Sequence, residues 1–225
     1  MSGAQLRAAR ERLGLTQQQA ARRWRVSQTY LSLMEHDRRP VPERLARLLA
    51  RGDVRMATAL PLGALTHSAD KLPSLLGSLG YSGFAYLADQ RNSANPAAVV
   101  LAVLQGKGVP ARVTEALPWV LVSFPDLDWN WLLDQVKLSN VQNRLGYLVT
   151  LARQVAERRG DCVSAATLAD VERRLEDARL AKEDTLGGEL TLAEQRHLRQ
   201  HRPEAATHWN LLTNLRVEDL RHGDG

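Results

Sequence analysis

Cysteine is nearly missing from this 225-residue chain: Cys162 stands alone, so neither an internal disulfide nor a cysteine-based zinc site can form. Long apolar runs are missing as well. The most apolar stretch, Ala97 to Leu104, stops at Gln105, Gly106 and Lys107, short of the ~18 residues a membrane-spanning helix requires, and the start MSGAQLRAARERLG is charged without the apolar segment of a secretory signal. These absences exclude disulfide chemistry and a membrane span and lead to the expectation of a cytoplasmic protein. Strand signals are almost absent, and there is no internal repeat or low-complexity tract. Lysine is scarce too, 26 of the 30 basic residues being arginine. A GC-rich genome produces that bias without functional pressure, so charge counts alone decide little.

What is present is ordinary globular composition, 44% hydrophobic and 24% charged, in a length that suits one large domain or two modest ones. The net charge of +5 becomes informative when the chain is cut. Residues 1–52 hold eleven arginines against four acids (Glu11, Glu35, Asp37 and Glu43), a balance of +7, while the rest holds 19 basic and 21 acidic residues. A small domain with that surplus suits a polyanion, because binding phosphates releases condensed counterions.

The first fifty residues carry a helical pattern with readable punctuation. Leu6, Ala9 and Leu13 recur at helical spacing from Gln5 until Gly14; Thr16 can N-cap a second helix with Ala20, Ala21 and Trp24 inward; Ser27 can N-cap a third, Gln28 to Glu35, with Leu31 and Met34 inward. The opposite side of that third helix is Gln28, Thr29, Ser32 and Leu33. Short uncharged polar side chains of this kind hydrogen-bond base edges in a major groove, with arginines around them holding phosphates. His36 to Pro40 reads as a basic turn, and a fourth helix from Pro42 to Leu49 offers Leu45, Leu48 and Leu49 to close the bundle.

The runs Leu15-Thr16-Gln17-Gln18-Gln19-Ala20-Ala21 and Val26-Ser27-Gln28-Thr29-Tyr30-Leu31-Ser32-Leu33-Met34-Glu35 resemble the phage-repressor and Cro-type (XRE) helix-turn-helix family over about 50 residues. The resemblance implies a four- to five-helix DNA-binding bundle in which Gln17 contacts the DNA backbone, Gln28, Thr29 and Ser32 face bases, and Arg38 and Arg39 take phosphates. It also implies that Arg10 and Glu35 form a structural ion pair across the bundle. Three positions depart from the family pattern. Arg25 stands where glycine is common, Trp24 replaces a usual leucine, and Leu33 occupies a place more often polar or basic. There Leu33 either touches a thymine methyl or packs against the fourth helix.

Residues 53–67 have no clean period and are expected to form a linker. From 68 to 225 helices recur: Ser68 to Leu79, Pro96 to Gln105 capped by Asn95, Val109 to Phe124 bent or divided by Pro118, Asp128 to Val136, Asn140 to Arg159, Ser164 to Lys182, Leu192 to His201 behind a Thr191/Glu194 capping box, and Pro203 to Leu212. The expected fold is all-α: a helix-turn-helix domain over 1–52, then a larger helical domain with a possible sub-boundary at Gly187-Gly188.

This second part shows little chemistry. Asp126 and Asp128 lack the upstream Gly-Ser loop and the sheet of a nucleotidyltransferase, and His197 with His201 and Glu194 lacks a catalytic His-Glu-x-x-His order. No enzyme, metal or cofactor is expected. Trp119, Trp129, Trp131 and Trp209 are candidates for a dimer or partner surface. Trp129 and Trp131, two apart on a helix, cannot both face one core. The phrases Ala116 to Trp119, Phe124 to Trp129 and Gln142 to Tyr147 look similar to helix-turn-helix proteins encoded beside nucleotidyltransferase toxins. The reading is a sequence-specific repressor of a double-stranded operator, a homodimer, and the antitoxin of a neighbouring toxin. The alternative is a regulator whose helical domain senses a small ligand.

Overall fold

Eight residues from Gln28 to Glu35 form the helix on which the first part of the chain is organised, and their order explains why. Ser27, extended at φ −72°, ψ 151°, accepts the Tyr30 N–H through Oγ at 3.1 Å, and Leu31 and Met34 fall on the buried side. The computed structural model describes residues 2–12, 16–24, 26–43, 45–46, 62, 65, 69–89, 94–188 and 190–220, which divide into two compact units, Met1–Met56 and Ala57–Gly225.

In the first unit, α1 (Gly3–Arg12) and α2 (Gln17–Arg23) both pack on α3 (Gln28–Glu35). Two reciprocal caps start the first two helices. Ser2 and Gln5 exchange main-chain N–H bonds with each other's side chains at 2.9 and 3.3 Å, and Thr16 and Gln19 do the same at 2.9 and 3.2 Å. The core is Leu6, Ala20, Ala21, Trp24, Leu31, Met34 and Leu45, so Trp24 takes the inward place that its spacing predicts. Its indole N–H is buried with no hydrogen-bond partner among the described residues. Glu43, Leu45 and Ala46 are helical, with the Ala46 N–H bonded to the Pro42 carbonyl at 2.9 Å. Leu13, Gly14, Arg25, Leu48 and Leu49 lie outside the described residues, as does most of the stretch 53–67.

The second unit is built around one long helix. Its elements are α4 (Leu72–Ser78), α5 (Pro96–Gln105), α6 (Ala111–Glu115), α7 (Leu117–Ser123), α8 (Trp129–Leu138), α9 (Gln142–Arg158), α10 (Cys162–Glu176), α11 (Leu192–His201) and α12 (Glu204–His208), with two-residue strands β1 (Asp184–Thr185) and β2 (Leu211–Leu212). α9 packs on α7, α8, α10 and the C-terminal segment, and twelve of its seventeen residues are buried. α5 is buried nearly all round, as its apolar sequence dictates. Pro118 falls in the first turn of α7, dividing the helix expected from Val109 to Phe124 at Ala116.

Several segments differ from expectation. Ser82–Leu87 forms a 3-10 helix against α4 that no periodicity announces. α10 begins two residues before Ser164 because Asp161 caps it, accepting the Ser164 N–H at 3.2 Å. It ends at Glu176 rather than Lys182, and beyond it the Ala178 and Leu180 carbonyls accept the side-chain amides of Gln142 and Asn143 at 3.1 and 2.8 Å. The segment expected as a helix from Pro203 to Leu212 is helical only to His208; Asn210 turns the chain at φ 53°, and Leu211 and Leu212 then pair in parallel with Asp184 and Thr185. A strand of two residues has no alternation to read.

The phrase Gln142 to Tyr147 anchors the following segments. Asn143 reads both groups of Leu180, donating to its carbonyl and accepting its N–H at 2.8 Å each, and Arg144 grips the Asp184 carboxylate through Nε at 2.6 Å and Nη2 at 2.8 Å. Gly146 leaves room for Trp209: a Cβ there would lie 2.4 Å from the indole ring. Tyr147 donates its phenol to the Leu215 carbonyl. Residues on both sides of Gly187-Gly188 contribute to one core, which includes Leu117, Leu148, Ala206 and Trp209, and the Gly187 carbonyl accepts the Gly108 N–H at 3.1 Å.

Two predictions follow from this packing. Gly146→Ala forces the Trp209 ring out of place and should cost about 1–3 kcal/mol, whereas Trp209→Ala should cost about 3–5 kcal/mol, both read by denaturant unfolding of the full chain. Burial pushes the Tyr147 phenol from its ordinary 10.0 up to about 12. The folded state thus holds the proton more tightly than the unfolded one, so its contribution is complete below pH 10 and is lost as pH rises toward 12. Stability should fall through that window in the wild type and fall less in Tyr147→Phe.

Candidate nucleic-acid interface

α3 ends at the most deeply buried ion pair among the described residues. Glu35, with a side chain 1% exposed, accepts Arg10 Nε on Oε1 at 2.6 Å and Arg10 Nη2 on Oε2 at 3.2 Å; the Arg10 side chain is 12% exposed. The pairing implied by the family resemblance is therefore present, and it is bidentate. Gln17 joins it, donating Nε2 to Glu35 Oε2 at 2.9 Å. This bond ties the first turn of α2 to the last turn of α3, and the Gln17 side chain stays part-exposed at the start of α2.

The other expected contacts share one solvent face. Gln28 and Thr29 are exposed in the first turn of α3; Ser32 and Leu33 are part-exposed one turn on. Leu33 stands outside the apolar cluster formed by the described residues. The side chains of Gln28 and Thr29 carry donors and acceptors suited to base edges, glutamine to adenine N6 and N7 above all. Arg38 and Arg39 are exposed just past the end of α3. Neutral hydrogen-bonding groups thus occupy the helix and cations its margin, the division that separates sequence reading from phosphate binding.

The turn carrying those arginines is built on a residue that sequence reasoning passed over. Asp37 lies in the left-handed region at φ 54°, where glycine is usual and a side chain costs ~1 kcal/mol. Around it the helix end closes as a Schellman motif: Arg38 N–H reaches the Leu33 carbonyl at 2.8 Å and Asp37 N–H the Met34 carbonyl at 3.1 Å. The Asp37 carboxylate accepts the Gly3 N–H at 2.6 Å, satisfying a donor at the start of α1. Gly3 is required by closeness: a Cβ on it would lie 2.2 Å from the Met34 carbonyl oxygen. The legible signal was an acid at the position after the helix cap, where a flexible residue belongs.

In the second unit the residues singled out for chemistry have structural partners. Asp128 caps α8, accepting the Trp131 N–H at 3.2 Å. Glu194 closes its capping box on Thr191, with Oε2 2.8 Å from the Thr191 nitrogen and 2.7 Å from its hydroxyl. His197 and His201 stack on each other at 4.3 Å, with no third ligand forming a metal-binding group among the described residues. Of the four tryptophans, Trp209 is fully buried, its Nε1 donating to Thr150 Oγ1 at 2.9 Å, which corrects its place among surface candidates. Trp129 is also in the core. Trp131, two residues on, and Trp119, packed between Tyr81 and Phe124, are part-exposed.

Among known proteins, residues 3–59 match a family described as a helix-turn-helix domain. No curated protein and no solved structure matches the chain. The match covers the unit whose geometry is described above and supports a DNA-binding regulator. No described helix is long and apolar enough to cross a membrane.

The ion-pair network yields a prediction. Arg10→Ala leaves a buried carboxylate without its cation and should destabilise the first unit by about 3–5 kcal/mol, far above the ~0.2–1 kcal/mol of an exposed pair. A double-mutant cycle with Glu35→Gln, read by thermal unfolding, should show strong coupling; additive effects would remove the network from the account.

Proposed function

We propose that this protein is a transcriptional repressor that occupies a double-stranded operator, with α3 in the major groove and no catalytic step. The observation that carries the reading is the α3 face itself: Gln28 and Thr29 exposed in its first turn, Arg38 and Arg39 exposed beyond its end, on a unit that matches a helix-turn-helix family. A single such unit reads only a few base pairs, so occupancy against a genome of competing sites calls for two half-sites about one helical turn apart. The larger unit is the proposed source of that pairing. Trp119 and Trp131, part-exposed beside the core, are its candidate contacts, and XRE-type repressors are the group the proposal places it with.

The finer part of the proposal makes the protein an antitoxin whose larger unit captures a toxin encoded nearby. Its support is the likeness of three phrases, one of which, Gln142 to Tyr147, is engaged inside the fold. Co-purification with the neighbouring gene product tests it. If a tight complex forms and alters operator occupancy, the antitoxin role stands; if none forms, the repressor reading remains and the antitoxin role falls.

Operator selection from random duplexes, followed by binding titrations, tests the repressor. Gln28→Ala and Thr29→Ala should each relax base preference at one operator position by about 1–3 kcal/mol. Arg38→Ala should weaken binding to every sequence and lower the slope of log affinity against log salt by about 0.9. The absence of salt-sensitive duplex binding by the full chain would overturn the proposal.

A further inference from the structure

We infer that Asp37 is a positioning residue for phosphate binding: by accepting the Gly3 N–H it fixes the direction in which Arg38 and Arg39 leave α3. The inference rests on the DNA-binding reading and goes beyond it to a residue of the wrong charge for the task. Three observations carry it. Asp37 sits at the left-handed position of the helix end, which glycine fills without strain, so the side chain is there at a conformational cost. Its Oδ1 lies 2.6 Å from the first nitrogen of α1, a bond across 34 residues of chain. Finally, it immediately precedes the two exposed arginines, where a carboxylate repels an approaching phosphate.

A negative charge beside a phosphate-binding pair weakens that pair unless it does something in return. The geometry shows what that is. α1 is pressed so closely on the last turn of α3 that Gly3 has no room for a Cβ beneath the Met34 carbonyl, and the Arg38 N–H is committed to the Leu33 carbonyl at 2.8 Å. The main chain around Asp37 is thus clamped on both sides. One clamp is the helix-end hydrogen bonds; the other is the carboxylate on α1. Without the second, the turn is anchored on α3 alone, and the arginine stems swing on a looser hinge. The required property is an acceptor oxygen on a residue that tolerates the left-handed region. The charge itself works against binding.

That separation sets the experiment. Asp37→Asn keeps an acceptor and the left-handed tolerance; Asp37→Gly keeps the tolerance alone; both remove the same charge. Full-length protein is titrated with a mixed-sequence duplex over a range of salt, since phosphate contacts do not depend on sequence. D37N should bind at least as tightly as wild type. D37G should bind several-fold more weakly than D37N, with a salt slope lower by about one, the value of one lost phosphate contact. In an Arg38→Ala, Arg39→Ala background the two should be indistinguishable, a result that a merely structural role for Asp37 would not give. Equal binding and equal slopes for D37N and D37G, or a difference that persists without the arginines, would overturn the inference. D37N binding more weakly than wild type would overturn it independently of how well D37G folds, by showing that the charge is what matters. Failure of the wild type to bind the duplex would strike the DNA-binding reading, a separate outcome.

Discussion

A single carboxylate ties together the first three helices of the first unit. Glu35 is almost wholly enclosed, and both of its oxygens are taken, one by Arg10 Nε and the other by Arg10 Nη2 and Gln17 Nε2. A buried ion pair contributes little net stability over an apolar replacement, because desolvation offsets the attraction. Its force lies in the alternatives it forbids. Any packing of α3 that parts Glu35 from Arg10 leaves a buried charge unpaired at about 3–5 kcal/mol, a large share of the ~5–15 kcal/mol that holds a whole domain together. α1, α2 and α3 each supply one member, so the three helices are locked in one mutual arrangement. The face bearing Gln28 and Thr29 inherits that arrangement.

Much of the first unit was legible because its signals agree with one another. Ser27 caps where the spacing of Leu31 and Met34 says a helix must begin, and the Arg10–Glu35 pair was found through its place in a family pattern. What was not legible depended on contacts far apart in sequence. Gln17 looks like a solvent-facing helix residue, and only the fold brings it within 2.9 Å of Glu35. Asp37 reads as one acid in a basic turn until α1 arrives beside it. Composition showed where the cations are; it contained nothing about which carboxylate aims them.

The second unit divides differently. Helix ends were readable at Asn95, Pro118 and Thr191, while the Asp161 cap of α10 was missed. They were misread where tertiary hydrogen bonds lie beyond the helix end. The carbonyls after Glu176 accept bonds from side chains of α9, and a run that looks helical to Lys182 becomes an irregular connection. Trp209 was misplaced for a related reason. A tryptophan near the chain's end, among polar residues, suggests a surface, but Gly146 opens a slot for it and Thr150 accepts its N–H. The glycine and its tryptophan are 63 positions apart, beyond the reach of any periodicity.

The arrangement of charge then separates two tasks. A cation aimed at phosphate adds affinity for every duplex alike, since phosphates are everywhere, whereas hydrogen bonds to base edges distinguish right from wrong sequences. Here the exposed side chains of α3 itself are uncharged, and two exposed arginines, Arg38 and Arg39, come after its end, on a turn clamped to another helix. On the proposed DNA-binding reading, affinity would be placed where geometry is fixed by the fold, and selectivity where hydrogen-bonding groups would meet the bases. An acid between the two regions fits that proposal: it would cost some affinity for phosphate, and in exchange the cations would approach the backbone from one direction, which would place the glutamine and threonine in register with the base edges.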